Sequence, residues 1–107
     1  MQDPQHFQLH VEDDLDTLVL HPVGVLDERA GSRLLDRLQE LLDRAHAGWR
    51  RVELDLDALA SFTDAGLAAL AGCAELARRL PEGMRYRASS PAGRGALLAA
   101  CSRPDDL

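Results

Sequence analysis

Lysine is absent from this 107-residue chain, cysteine and tryptophan are rare, and only 4% of its residues are aromatic. Each scarcity excludes something. The twelve basic residues, all arginine, face eighteen acidic ones, for a net charge of −6. That balance argues against a nucleic-acid binder, because a phosphate backbone is gripped by clustered positive charge. Arginines do gather at Arg78, Arg79, Arg85 and Arg87, but acidic neighbours lie near them, and a solvated surface is expected there. The two cysteines, Cys73 and Cys101, form no CxxC pair and have no histidine beside them, so zinc-ligand spacing is missing. Cys73 falls within an Ala/Leu pattern, as a small buried hydrophobe does. With no sign of a secretory leader a disulfide is disfavoured. No apolar run approaches the roughly 18 residues that a membrane span requires. The expectation is a soluble, cytoplasmic protein without direct membrane insertion.

What is present is leucine, alanine and valine, in an apolar fraction of 46% that suffices for the core of one small domain. Residues 7–11 alternate apolar and polar, as a half-buried or edge strand does. The acidic "EDDLD" (12–16) reads as a turn, and "TLVLHPVGVL" (17–26) as a second strand of a hairpin, ended or kinked by Pro22 and Gly24. Leu34, Leu38, Leu41, Leu42 and Ala45 mark one apolar face of a helix. In "VELDLD" (52–57) Val52, Leu54 and Leu56 alternate with Glu53, Asp55 and Asp57. A second helix is expected from Asp64 to Leu80, stopped by Pro81 and Gly83. A short strand "MRYRAS" and a final helix from Pro91 complete a β-β-α-β-α-β-α order: an α/β fold, one mixed sheet with helices packed on it. The domain is expected over 7–101, with flexible arms at 1–6 and 102–107.

Groups able to do chemistry together are scarce. His6, His10, His21 and His46 are scattered, and although His10 and His21 are candidate cross-strand neighbours, a metal site wants three or four ligands. Ser89 and Ser90 precede Pro91 as helix-capping residues do, and no G-x-S-x-G surrounds them. Gly93-Arg94-Gly95 lacks the rest of a phosphate loop, so its glycines read as tolerated spacers. Asp55, Asp57 and Asp64 lie near one another in sequence, but no His, Lys or metal cluster accompanies them to make an acid–base pair. Catalysis, cofactor and metal are not supported.

The run "VELDLDALASFTDAGLAAL" (52–70) resembles the STAS domain, found in anti-sigma factor antagonists and in the cytoplasmic parts of some transporters. Asp55 matches that family's strand-end Asp, and Ala65-Gly66-Leu67 match the end of its Asp-Ser-Ser/Ala-Gly-Leu motif. "GVLD" (24–27) resembles its Gly-x-Leu/Ile-Asp loop, bringing in Gly24 and Asp27. The resemblance implies a non-catalytic protein-binding module. In the antagonist branch a kinase-like anti-sigma factor phosphorylates the hydroxyl two residues before the glycine, and the added charge breaks the complex.

This chain departs from the motif at that position. Two residues before Gly66 stands Asp64, with Thr63 where the family has Asp, so the pair is transposed. Asp64 supplies a fixed charge at a helix start, as a cap or first-turn carboxylate, where backbone N–H groups favour an anion. Two consequences compete: Asp64 mimics a permanently modified state, which would weaken binding to a kinase-type partner, or phosphate was never the switch and the same surface makes a constitutive contact. Thr63 is the remaining candidate phosphosite, although as N-cap its hydroxyl is expected to be engaged. Ser61 replaces a usual apolar residue, and Phe62 reads as the anchor of the turn. The resemblance leaves several partners open. One is a kinase-like anti-sigma factor docking on residues 63–67 and the following helix. Another is the ATPase subunit of a lipid-transport ABC system, of which the chain would be a STAS subunit; in a third reading the chain is itself a constitutive scaffold domain of a signalling assembly. A homodimer is compatible with all three.

Overall fold

The computed structural model describes residues 7–44 and 48–101, so the expected arms, His6, Ala45 and His46 lie outside the described residues. The elements run β1 (Gln8–Asp14), β2 (Thr17–Leu26), α1 (Glu28–Asp43), β3 (Arg51–Asp55), β4 (Leu59–Phe62), α2 (Asp64–Ala77), β5 (Met84–Arg87) and α3 (Pro91–Cys101). The sheet is ordered β1-β2-β3-β5, with β4 pairing β2 beyond the end of β3. β1 is antiparallel to β2 and every other pairing is parallel. The mixed α/β architecture is the one expected. A strand is added: Leu59–Phe62, read in the sequence as an apolar lead-in, is β4.

Two expectations about the hairpin are corrected. Glu12, Asp13 and Asp14 belong to β1, and the turn shrinks to Leu15 and Asp16. Leu15 adopts a left-handed backbone, φ 55°, at 89% exposure. Pro22 does not end β2 but lies fully buried inside it. The ladder explains this. Pro22 faces Leu9 of β1 at a position where no N–H is exchanged, and its other side falls between the last β3 pair, Leu20↔Leu54, and the first β4 pair, Gly24↔Leu59. Gly24 does kink the strand: its φ of 103° coincides with the register shift between Gly24 and Val25.

Leu18, Leu20, Leu26, Val52, Leu54 and Leu56 form the sheet side of the core, all with no exposed surface. Leu34, Leu38 and Leu42 of α1, and Leu70, Cys73 and Ala77 of α2, cover them. Burial pushes the Cys73 thiol up to about 12, so it is an inert core atom and no nucleophile. The predicted second helix is three residues too long, since α2 ends at Ala77 and Leu80 sits in the following turn.

The helices α1 and α2 meet through small residues. A Cβ on Gly31 would stand 2.8 Å from the Ala69 Cβ, and one on Gly66 would stand 1.9 Å from the Leu26 carbonyl oxygen. Gly93 is likewise no spacer: its Cβ would lie 2.7 Å from the Leu56 carbonyl. By contrast, Gly95 would make only ordinary contact with Phe62, at 3.8 Å. Gly66→Ala should therefore destabilise by about 2 kcal/mol or more, because backbone cannot move aside as a side chain can. Gly95→Ala should be neutral or stabilising by up to about 1 kcal/mol in denaturant melts. Equal effects of the two changes would refute the assignment of Gly66 to backbone packing.

Candidate functional site

The site is built where two strands end side by side and two helices begin. Leu26 of β2 pairs with Phe62 of β4, so Asp27 and Thr63 leave the sheet as neighbours. Each caps the helix that follows. The Asp27 carboxylate accepts the Ala30 N–H at 2.9 Å, and the Thr63 hydroxyl accepts the Gly66 N–H at 3.0 Å. The Thr63 N–H donates to the Leu26 carbonyl at 3.0 Å, and Gly66 packs against that same carbonyl from the next turn. Both helix starts are thereby locked to one peptide group.

On this frame Thr63, Asp64 and Ala65 are exposed, Leu67 is half-buried against the core, and Gly66 is buried. Of the two cap candidates, Thr63 is the N-cap of α2 and Asp64 occupies its first turn. Its carboxylate complements the positive end of the helix, a contribution of about 0.3–1 kcal/mol at an exposed position. At the start of α1, Asp27, Glu28 and Arg29 are also exposed and line a groove with Ser32. Ala65 and Ala68 extend the exposed surface along α2, whereas Ala69 is buried and Gly72 half-buried against Leu35. The Ala-rich face is thus divided between solvent and α1.

Gly24 and Asp55 both make structural bonds. Gly24 sits at the β2 kink and donates its N–H to the Ala58 carbonyl at 3.2 Å. Asp55 accepts the Asp57 N–H at 3.0 Å and meets His21 Nδ1 at 3.1 Å, while His21 Nε2 meets Glu12 at 3.3 Å. His10 is indeed opposite His21 across the hairpin. Among the described residues no cluster of His, Cys, Asp and Glu could hold a metal ion, and no helix is long and apolar enough to cross a membrane.

Sequence reasoning missed the part played by Asp57. Its carboxylate accepts the backbone N–H of Ser89 and that of Ser90, the latter at 3.0 Å, just before α3. Ser90 then caps α3 by accepting the Gly93 N–H at 3.0 Å. The Ser89 and Ser90 backbone bonds hold the Asp57 carboxyl below the usual carboxylate range. The spacing of Asp57 after a strand gave no hint of a partner 32 residues on.

No protein-family model and no curated protein matches the chain. Solved structures do. An anti-sigma factor antagonist from Mycobacterium paratuberculosis superposes with a TM-score of 0.69 at 21% identity, covering 99% of this chain and 94% of that one. The phosphorylated form of SpoIIAA, a Bacillus cell-fate determinant, gives 0.58 at 19% identity over 90% of this chain and 84% of that one. Mglu gives 0.55 at 31% identity over 77% of this chain, but the matched part is only 19% of Mglu. The chain has the STAS-like fold of anti-sigma factor antagonists.

Asp57→Ala should accelerate amide exchange in α3 while the β1–β3 amides keep their protection. Acid should do the same. A carboxyl depressed in the folded state stabilises above its unfolded pKa of roughly 3.9, and that contribution is lost as pH falls through the lower folded value. Loosening of α3 should thus begin below about pH 4 in wild type and be missing from Asp57→Ala. An unchanged α3 exchange rate in Asp57→Ala would refute the latch.

Proposed function

We propose that the chain is a non-catalytic interaction module of the anti-sigma-antagonist kind, which docks a kinase-like anti-sigma factor through residues 63–67 and the exposed side of α2. The observation that carries this reading is the chemistry at the start of α2. The first-turn position holds Asp64, a fixed carboxylate, and the adjacent Thr63 hydroxyl is engaged in capping Gly66 N–H. A surface of this shape presents one permanent charge and small side chains, Ala65 and Ala68, over which a partner's backbone can approach closely. The fold likeness to anti-sigma factor antagonists supplies the class of partner.

With no free hydroxyl at the first-turn position, docking is constitutive. Asp64 carries about half the charge of a phosphoserine and lacks its three tetrahedral oxygens. Asp27 leaves the sheet beside Thr63 and caps the neighbouring helix, so adding phosphate here would bring further negative charge to the mouths of two helices.

The test is binding of a purified kinase-type anti-sigma factor to immobilised wild-type, Asp64→Ala and Ala68→Arg chains. Removing the charge should weaken binding by at least about threefold, as truncation of an interface charge does. Ala68→Arg should abolish it through steric exclusion without unfolding, because Ala68 is exposed. If both variants bind as wild type does, the turn and α2 are not the docking surface.

A further inference from the structure

The β1 strand forms one edge of the sheet, bonded only to β2. Two of the three exposed large apolar side chains among the described residues, Val11 at 36% and Leu15 at 89%, lie on that edge and its turn. The hairpin fixes which backbone groups are left over. Asp14↔Thr17 closes a two-residue turn and is a hydrogen-bonded pair, so Glu12 and His10 also exchange bonds with β2. The N–H and C=O groups of Leu9, Val11 and Asp13 therefore point away from the sheet. Edge strands are ordinarily blunted by proline, by charged side chains or by a bulge. β1 has no proline, its pairing with β2 runs without a bulge, and its charges, Glu12, Asp13 and Asp14, gather at one end and leave Gln8–Val11 uncharged apart from His10.

We infer that this edge is the contact surface for a second copy of the chain, the two β1 strands pairing antiparallel about a twofold axis at Val11. In that register Val11 faces the partner's Val11 and Leu9 faces the partner's Asp13, pairs that use all the outward backbone groups. His10 faces the partner's Glu12, and symmetry repeats the match, so each imidazole opposes a carboxylate. Moving the axis to Glu12 would oppose two carboxylates, and moving it to His10 would oppose two imidazoles.

The same axis carries the exposed Leu15 to the partner's Phe7. Phe7 and Leu9 floor a groove beside the edge, walled by Arg33, Asp36, Arg37 and Glu40 of α1. Arg33 lies over the Phe7 ring at 5.6 Å and reaches the Phe7 carbonyl at 3.5 Å. It closes the edge just past the paired segment, where the partner's Asp14 and Asp16 arrive. A hairpin tip bearing one leucine thus meets a groove floored by Phe7 and Leu9 and walled by two arginines and two carboxylates, twice. The opposite sheet edge, β5, carries Arg85 and Arg87 and could attract β1 as well, but that contact is not self-complementary and would build open chains.

Sedimentation equilibrium over a wide concentration range tests the inference. Wild type should show a monomer–dimer equilibrium and no larger species. Val11→Pro should be monomeric, because the N–H it removes points outward and is not used by β2. His10→Glu should raise the dimer dissociation constant roughly tenfold or more, by opposing carboxylates at two places. The exchanged double variant His10→Glu/Glu12→His should recover affinity. Leu15→Gly should weaken the dimer while leaving the monomer folded, since glycine accepts its positive φ. If Val11→Pro fails to fold, the exposed His10 and Leu15 variants decide alone. A wild type that is monomeric throughout, a dimer indifferent to His10→Glu and Leu15→Gly, or growth beyond dimer into chains would each overturn the inference.

Discussion

One peptide group, the carbonyl of Leu26, organises the end of this domain where α1 and α2 begin. It accepts the Thr63 N–H and lies against the bare Cα of Gly66, so the starts of α1 and α2 are held at one spacing. A side chain at position 66 would force α2 away from the Leu26 carbonyl and the start of α1. The glycine of the motif thus has no contact of its own to make with a partner. It sets the distance between two helix mouths, and the exposed residues inherit their positions from it. The parallel pairing of β4 with β2 serves the same end, because it aims both chain segments out of the sheet together.

Charge gives that geometry its meaning. Two adjacent helix N-termini create a region that favours anions, and this chain supplies them from within as Asp27, Glu28 and Asp64. A hydroxyl at the first-turn position would leave the region adjustable by a modifying enzyme. A carboxylate fills it permanently. The same economy recurs at α3, where Asp57 supplies the anion for the N–H groups of Ser89 and Ser90.

The alternating core of Val52, Leu54 and Leu56, the Leu stripe of α1 and the capping role of Thr63 were all legible in the sequence, because each is a local pattern with a fixed period or position. The transposition of Thr63 and Asp64 was legible too, since it needs only the order of residues. What was not legible depends on neighbours distant in sequence. Leu59–Phe62 is too short to show a strand period, and it becomes β4 only because β2 continues past the end of β3. Pro22 looked like a terminator, but the gap between those two partners makes its missing N–H harmless. Gly93 looked like a spacer until the Leu56 carbonyl was seen against it. Asp55 carried the motif in the sequence, whereas its bonds in the fold go to His21 and the Asp57 N–H.

In the function proposed here, the turn at residues 63–67 docks with a fixed charge and is not switched by phosphate. Intact-mass measurement of the wild-type chain after incubation with a kinase-type anti-sigma factor and ATP addresses it directly. Wild type should keep an unchanged mass, and Asp64→Ser should gain one phosphate under the same conditions. Stoichiometric phosphate on the wild-type chain, mapped to Thr63, would contradict it.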